Sequence, residues 1–220
     1  DGLFAHAAVS SSSYGYLGGG YFTPPATILA TVYRIDFSNE TISAPGYNLT
    51  EARYLLAACS SSSYGYFGGG FAPPSTYSNT VDRIDFSNET TSPVTATLTQ
   101  SRYALAATSS SSYGYFGGGF DPPHVATIDR IDFSNETTSP VTDTLSQGRH
   151  ALAAVSSSSY GYFGGGQNPT GNPDYLDIID RIDFSNETRS PVTATLPEAR
   201  SSLAATSSSS YGYFGGGFAP

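Results

Sequence analysis

The sequence has no lysine, one cysteine and little charge of either sign. Charged residues are 12% of the 220 positions, about half the usual share of a soluble domain. The net charge is −9, and all nine cations are arginines scattered without a basic run. That pattern disfavours nucleic acid and anionic membrane surfaces as partners. The lone Cys59 can form no internal disulfide. Its place in the other copies of the repeat is taken by Val9, Thr108, Val155 and Thr206, so it reads as a small packed strand residue. No apolar run approaches a membrane span, and no signal-peptide pattern is visible. The chain starts at Asp1, so it is expected to be processed or part of something longer.

Ser, Thr, Gly, Tyr and Asn fill the space that charge leaves, and they fill it periodically. The phrase SSSSYGYFGGG ends at Gly70, Gly119, Gly166 and Gly217, and at Gly20 with Leu17 in place of Phe. The steps between successive glycine triplets are 50, 49, 47 and 51 residues. A second phrase, RIDFSNET, starts at Arg34, Arg83, Arg130 and Arg181. A third landmark is an arginine before a small apolar run, at Arg53, Arg102, Arg149 and Arg200. The RID arginine lies 19 residues before that landmark, which lies 15 before the next triplet, every time. All length variation is confined to the segments 21–33, 71–82, 120–129 and 167–180. Residues 1–220 are thus one array of four full repeats and a half-repeat, to be extended by further repeats or completed by a neighbouring subunit.

Within a unit, ALAAT and YGYFG read as two short strands around a serine turn. The glycine triplet ends the second strand. TVDRIDFS alternates as a third strand, SNET is turn chemistry, and SPVTATL reads as a fourth strand. No apolar 3.6-residue period runs over ten residues. The predicted class is all-β: a β-propeller-like array of four-stranded antiparallel blades, about 49 residues per repeat. A β-solenoid is the second choice, although its coils are usually shorter. In a propeller the small residues of ALAAT would line the crowded axis, and Tyr and Phe would fill the wedge between blades.

Arg102, ALAAT, YGYFGGG and RIDFSNET together resemble the Kelch repeat, over nearly the whole chain. The phrasing is most similar to Kelch-like repeats of aquatic bacteria and their phages. The resemblance implies a propeller. It departs in lacking the tryptophan that Kelch blades usually carry on the fourth strand. Some Kelch-like propellers are copper oxidases, which makes an oxidase a remote alternative. His6, His124 and His150 occupy different repeat positions and have no His or Cys partner at metal spacing.

Candidate chemistry is sparse. The glycine triplet is followed by neither the lysine of a P-loop nor a helix. The serine runs are turn formers, and five equivalent nucleophiles would be strange. No catalytic residue, cofactor or metal site is expected. Arg83 with Asp85, Arg130 with Asp132 and Arg181 with Asp183 share a strand face, so they are expected to form buried ion pairs between blades. Asn39, Asn88, Asn135 and Asn186 lie in Asn-Glu-Thr sequons, and Asn48 in Asn-Leu-Thr. They are glycosylation candidates or plain turn residues. Tyr21, Phe71, Phe120 and Tyr175, in the variable loops, are candidates to stack on a sugar or anchor a protein. The expected role is a non-catalytic structural or adhesive protein, extracellular or exposed on a cell, fibre or phage. The alternative is a lectin-like or protein-binding propeller. Expected partners are copies of itself, further repeats, a glycan or a surface protein.

Overall fold

The computed structural model describes residues 2–170 and 174–220, so three positions of the 167–180 loop lie outside the described residues. The described residues are all β, with strands and turns and no helix. Each full repeat forms one four-stranded antiparallel sheet in simple sequence order. In the second repeat the strands are Ala57–Ser60, Tyr64–Gly68, Val81–Asp85 and Thr91–Pro93. The first, third and fourth repeats form the same sheet, starting at Ala7–Ser10, Ala106–Ser109 and Ala153–Ser156. The half-repeat contributes two strands, Ala204–Ser207 and Gly212–Gly215.

The serine run makes the first turn. Ser61 Oγ accepts the Tyr64 N–H at 3.0 Å, and the Ser61 N–H donates to the Tyr64 carbonyl at 2.9 Å. Ser11, Ser110, Ser157 and Ser208 do the same in the other copies. The fourth strand is shorter than SPVTATL suggested. It stops at Pro93, which has no N–H to extend the ladder. Val94 and Leu98 then turn inward, 5% and 1% exposed. They join the apolar cluster between sheets with Leu105 and Phe116, in a chain that has no tryptophan.

The first strands of all five copies line a single cavity of about 500 Å³, with Ala, Val, Cys, Thr and Ser facing it. Beside it runs a chain of backbone bonds from repeat to repeat. Leu55 N–H donates to Ala5, Ala104 to Leu55, Ala151 to Ala104 and Ser202 to Ala151, at 2.7–2.8 Å. All five residues hold φ between 53° and 56°, an unusual conformation for non-glycine residues.

The glycine triplet makes the sheets fit together. A Cβ on Gly68 would come within 2.6 Å of the Phe116 ring in the next repeat. At Gly69, with φ of +68°, it would come within 2.7 Å of the Arg102 carbonyl. The third glycine, Gly70, donates its N–H to that same carbonyl at 2.9 Å. The repeated phrase therefore encodes a junction between neighbouring sheets.

Candidate functional site

The junctions between the four full repeats are each built from an arginine, two tyrosines and a glutamate. Arg83 does not pair with Asp85. Its Nη1 donates to Glu136 of the following repeat at 2.8 Å. Arg34 reaches Glu89 at 2.8 Å and Arg130 reaches Glu187 at 2.9 Å in the same way. The expected pairs Arg83–Asp85 and Arg130–Asp132 do not form; both arginines instead meet a glutamate of the following repeat. The physical reason is the turn. Asp85 accepts the Ser87 N–H at 2.8 Å and the Ser87 hydroxyl at 2.6 Å, which lowers its pKa and occupies it locally. Asp132 and Asp183 are engaged alike with Ser134 and Ser185. The turn then places Glu89, Glu136 and Glu187 at φ of 57–58°, aimed back at the preceding repeat. The pairs are also less buried than expected, with the Arg83 side chain 28% exposed. Arg181 has no carboxylate partner among the described residues, and its Nε donates to Ser190 Oγ.

Each of these arginines lies over a tyrosine of its own sheet, with 4.7 Å from the Arg83 guanidinium to the Tyr64 ring centroid. A second tyrosine, Tyr66, donates to Glu136 and stacks on Phe133 at 5.2 Å. Burial and that glutamate push the Tyr66 phenol well above its ordinary pKa, so it remains a donor.

The fully buried ion pairs lie elsewhere. Arg53, Arg102 and Arg149 meet Asp82, Asp129 and Asp180 at 2.8–2.9 Å, with each arginine side chain 0% exposed. Each arginine also donates to a second-strand carbonyl, Phe67, Phe116 or Phe163. Burial pulls these arginines below their ordinary pKa, and the aspartate opposes the pull. These are structural groups, closed off from any ligand.

Partly exposed aromatic residues gather on the variable loops. Tyr21, Phe71 and Phe120 do not stand alone there. Each meets the aromatic residue after a landmark arginine or its counterpart, held by strand pairing or backbone bridges such as Tyr54↔Phe71 and Tyr103↔Phe120. The result is a belt. Phe4–Tyr21, Tyr21–Tyr54, Tyr54–Phe71, Phe71–Tyr103, Tyr103–Phe120 and Phe120–His150 follow one another at centroid separations of 5.0–5.8 Å. Tyr77 and His124 widen it from the loops. Gln167 interrupts the series, and Tyr175 pairs with Phe218 beyond it at 5.6 Å. Most belt rings are half-buried, while Phe4 and Phe218 are 50% and 58% exposed.

His124 and His150, 26 residues apart in sequence, lie with ring centroids 4.8 Å apart and tilted by 31° within this belt. Burial lowers both pKa values, and the neighbouring His124 adds to the effect on His150. Among the described residues no three His, Cys, Asp or Glu side chains gather at metal-binding distance. Cys59 is buried, and burial raises its thiol pKa. The sequon residues Asn39, Asn48, Asn88, Asn135 and Asn186 are all exposed. In four of them Oδ1 accepts the N–H and hydroxyl of the threonine two residues on.

Sequence reasoning missed two sets of residues. The junction glutamates were hidden inside a motif read as a sequon. The residues after the landmark arginines carried a signal, since Tyr54, Tyr103 and His150 recur at one position. No protein-family model matches the chain, and no curated protein matches it.

Proposed function

We propose that this chain is a non-catalytic adhesive repeat protein, extracellular or carried on a cell or phage surface. In this reading a propeller-like scaffold of the Kelch-like type presents the aromatic belt as its contact surface. Support for the propeller arrangement comes from the five first strands around one cavity and the same backbone bond between each successive pair of repeats. The observation that carries the function is the continuous belt from Phe4 to His150 across the first three variable loops. Aromatic rings with one apolar side and a polar edge suit sugar faces and protein side chains. The belt is long and carries little charge, which favours an extended neutral glycan. No residue is assigned to bond-making or bond-breaking.

The test is a triple variant, Tyr77→Ser, Tyr103→Ser and Phe120→Ser. Binding to a neutral-glycan array and the melting temperature are measured together. Glycan binding by the native chain and its loss by at least tenfold in a still-folded variant is the expected result. A native chain that binds no glycan, or a folded variant that binds as well, overturns the glycan reading.

A further inference from the structure

The serine turns join first strands to second, and the SNET turns join third strands to fourth, so both kinds of turn lie at one end of the antiparallel sheets. The variable loops join second strands to third and lie at the other end. Two cavities of about 410 and 420 Å³ open among the serine turns. One lies between the second and third repeats and the other between the third and fourth, so each is flanked by full repeats. Both are within the roughly 300–1,000 Å³ of small-molecule pockets.

Their walls match residue type for residue type. The first is lined by the serine turns 61–64 and 111–113 and by the strand end 132–134. The second is lined by 110–113, 158–160 and 183–185. The same types stand at 11–14, 62–64 and 85–87 between the first and second repeats.

Much of the polar chemistry in these walls is not engaged by the fold. The first serine of each turn bonds within it, as Ser61 does with Tyr64. Ser62, Ser63, Ser111 and Ser112 are exposed, and among the described residues their hydroxyls bond no protein group. Asp132 closes its own turn through Oδ1 alone, accepting the Ser134 N–H at 2.8 Å and the Ser134 hydroxyl at 2.6 Å. Its Oδ2 is left for a ligand. The bonds to Ser134 lower the Asp132 pKa, so the carboxylate stays charged, and Asp183 is held alike by Ser185. Half-buried Tyr113 and Phe133 supply aromatic surface. No arginine or histidine lines either cavity.

This set selects among ligands. An anion is repelled by the aspartate and by a chain of net charge −9. A neutral ligand leaves the carboxylate without a charged partner. An ammonium group gives it a charge-assisted hydrogen bond and is drawn to aromatic faces. The free serine hydroxyls both donate and accept, which matches a ligand that carries hydroxyls of its own. We infer that the serine-turn cavities bind amino sugars with free amines, as units of a cationic polysaccharide. The ammonium meets Oδ2 of Asp132 or Asp183, and the sugar hydroxyls meet the serine turns. Recurrence at successive junctions suits a polymer, whose linked units reinforce one another's binding.

A tetramer of β-1,4-linked glucosamine is titrated into the full chain by calorimetry, at a pH where its amines are protonated. Saturable binding is expected, and the fully N-acetylated tetramer should bind at least tenfold more weakly. The triple variant Asp85→Asn, Asp132→Asn and Asp183→Asn keeps the Oδ1 acceptor that each turn needs and should also bind at least tenfold more weakly. Neutralising three other exposed carboxylates, by Glu40→Gln, Asp174→Asn and Glu198→Gln, should leave binding as in the parent. No saturable binding, equal binding of the N-acetylated tetramer or of tetralysine, or an equal loss in the control variant overturns the inference. The aromatic-belt triple variant should bind the glucosamine tetramer normally, so this inference and the adhesive reading fail separately.

Discussion

The first repeat and the final half-repeat of the sequence are made differently. The first repeat departs from the common sequence where that sequence serves a preceding repeat or a buried charge. Leu17 replaces the phenylalanine that elsewhere packs on the preceding glycine. Leu3 and Tyr33 replace the buried arginine and its aspartate together. The half-repeat keeps the internal sequence, Arg200 and SSSSYGYFGGG included, yet Tyr211 and Tyr213 are 68% and 55% exposed. The first of the two lacks parts that the other repeats share. The other retains junction chemistry with nothing packed on it among the described residues.

The comparison breaks hardest at the buried charges. Arg102→Ala leaves Asp129 buried without its partner and should cost about 3–5 kcal/mol in urea unfolding. Arg102→Leu with Asp129→Tyr copies the first repeat's own solution and should recover most of that loss. A double variant as unstable as Arg102→Ala would show that the substitution works only in the context of the first repeat. Next come the glycines. Gly117→Ala pushes a methyl to 2.7 Å from the Phe163 ring and should cost about 1–3 kcal/mol. Gly215→Ala meets nothing within 4 Å and should stay within about 0.5 kcal/mol of the parent. Equal losses would erase the distinction between the packed glycines of the junctions and Gly215.

Glutamates give a smaller contrast. Glu136→Gln removes the partly buried pair with Arg83 and should cost about 1 kcal/mol, while Glu40→Gln should change stability by less than about 0.5 kcal/mol. The smallest effect is in pH. Burial holds His124 and His150 below the ordinary imidazole value of 6.5. The folded chain then binds fewer protons than the unfolded chain, so stability is full above pH 6.5 and declines as pH falls toward the folded values. Replacing both histidines with phenylalanine should reduce the fall in melting temperature between pH 7 and about pH 5.5, leaving the share of His6, which burial also holds low. An unchanged slope would place its source outside the belt.

The strand order was legible because glycine, proline and serine punctuate every unit at fixed spacing. Period-2 alternation placed Arg83 and Asp85 on one face correctly, but alternation cannot say which carboxylate reaches an arginine. That choice was made by Ser87, which engages Asp85 inside the turn, and by the left-handed backbone at Glu89 and Glu136. Neither is visible in a face pattern. The buried pairs were half legible: Arg53 and Arg102 stood out as landmarks, while the 29 residues from Arg53 to Asp82 hid the partnership. The belt was legible at Tyr21, Phe71, Phe120 and Tyr175. Its other half joins it in space: Tyr54 and Tyr103 through backbone bridges to Phe71 and Phe120, 17 residues on, and His150 through its ring contact with Phe120.

The junctions after the second and third repeats use the same kinds of residue in the same order: a glycine receiving a phenylalanine, and an arginine and a tyrosine receiving a glutamate. A gene coding such units can lengthen by copying one of them whole. The inserted unit meets a compatible neighbour on each side, and no compensating mutation is needed. The first repeat cannot be copied inward so freely, because Leu3 and Tyr33 would come along without the buried pair. Growth by duplication is therefore favoured downstream of the first repeat, and the number of units can change faster than the sequence of any one of them.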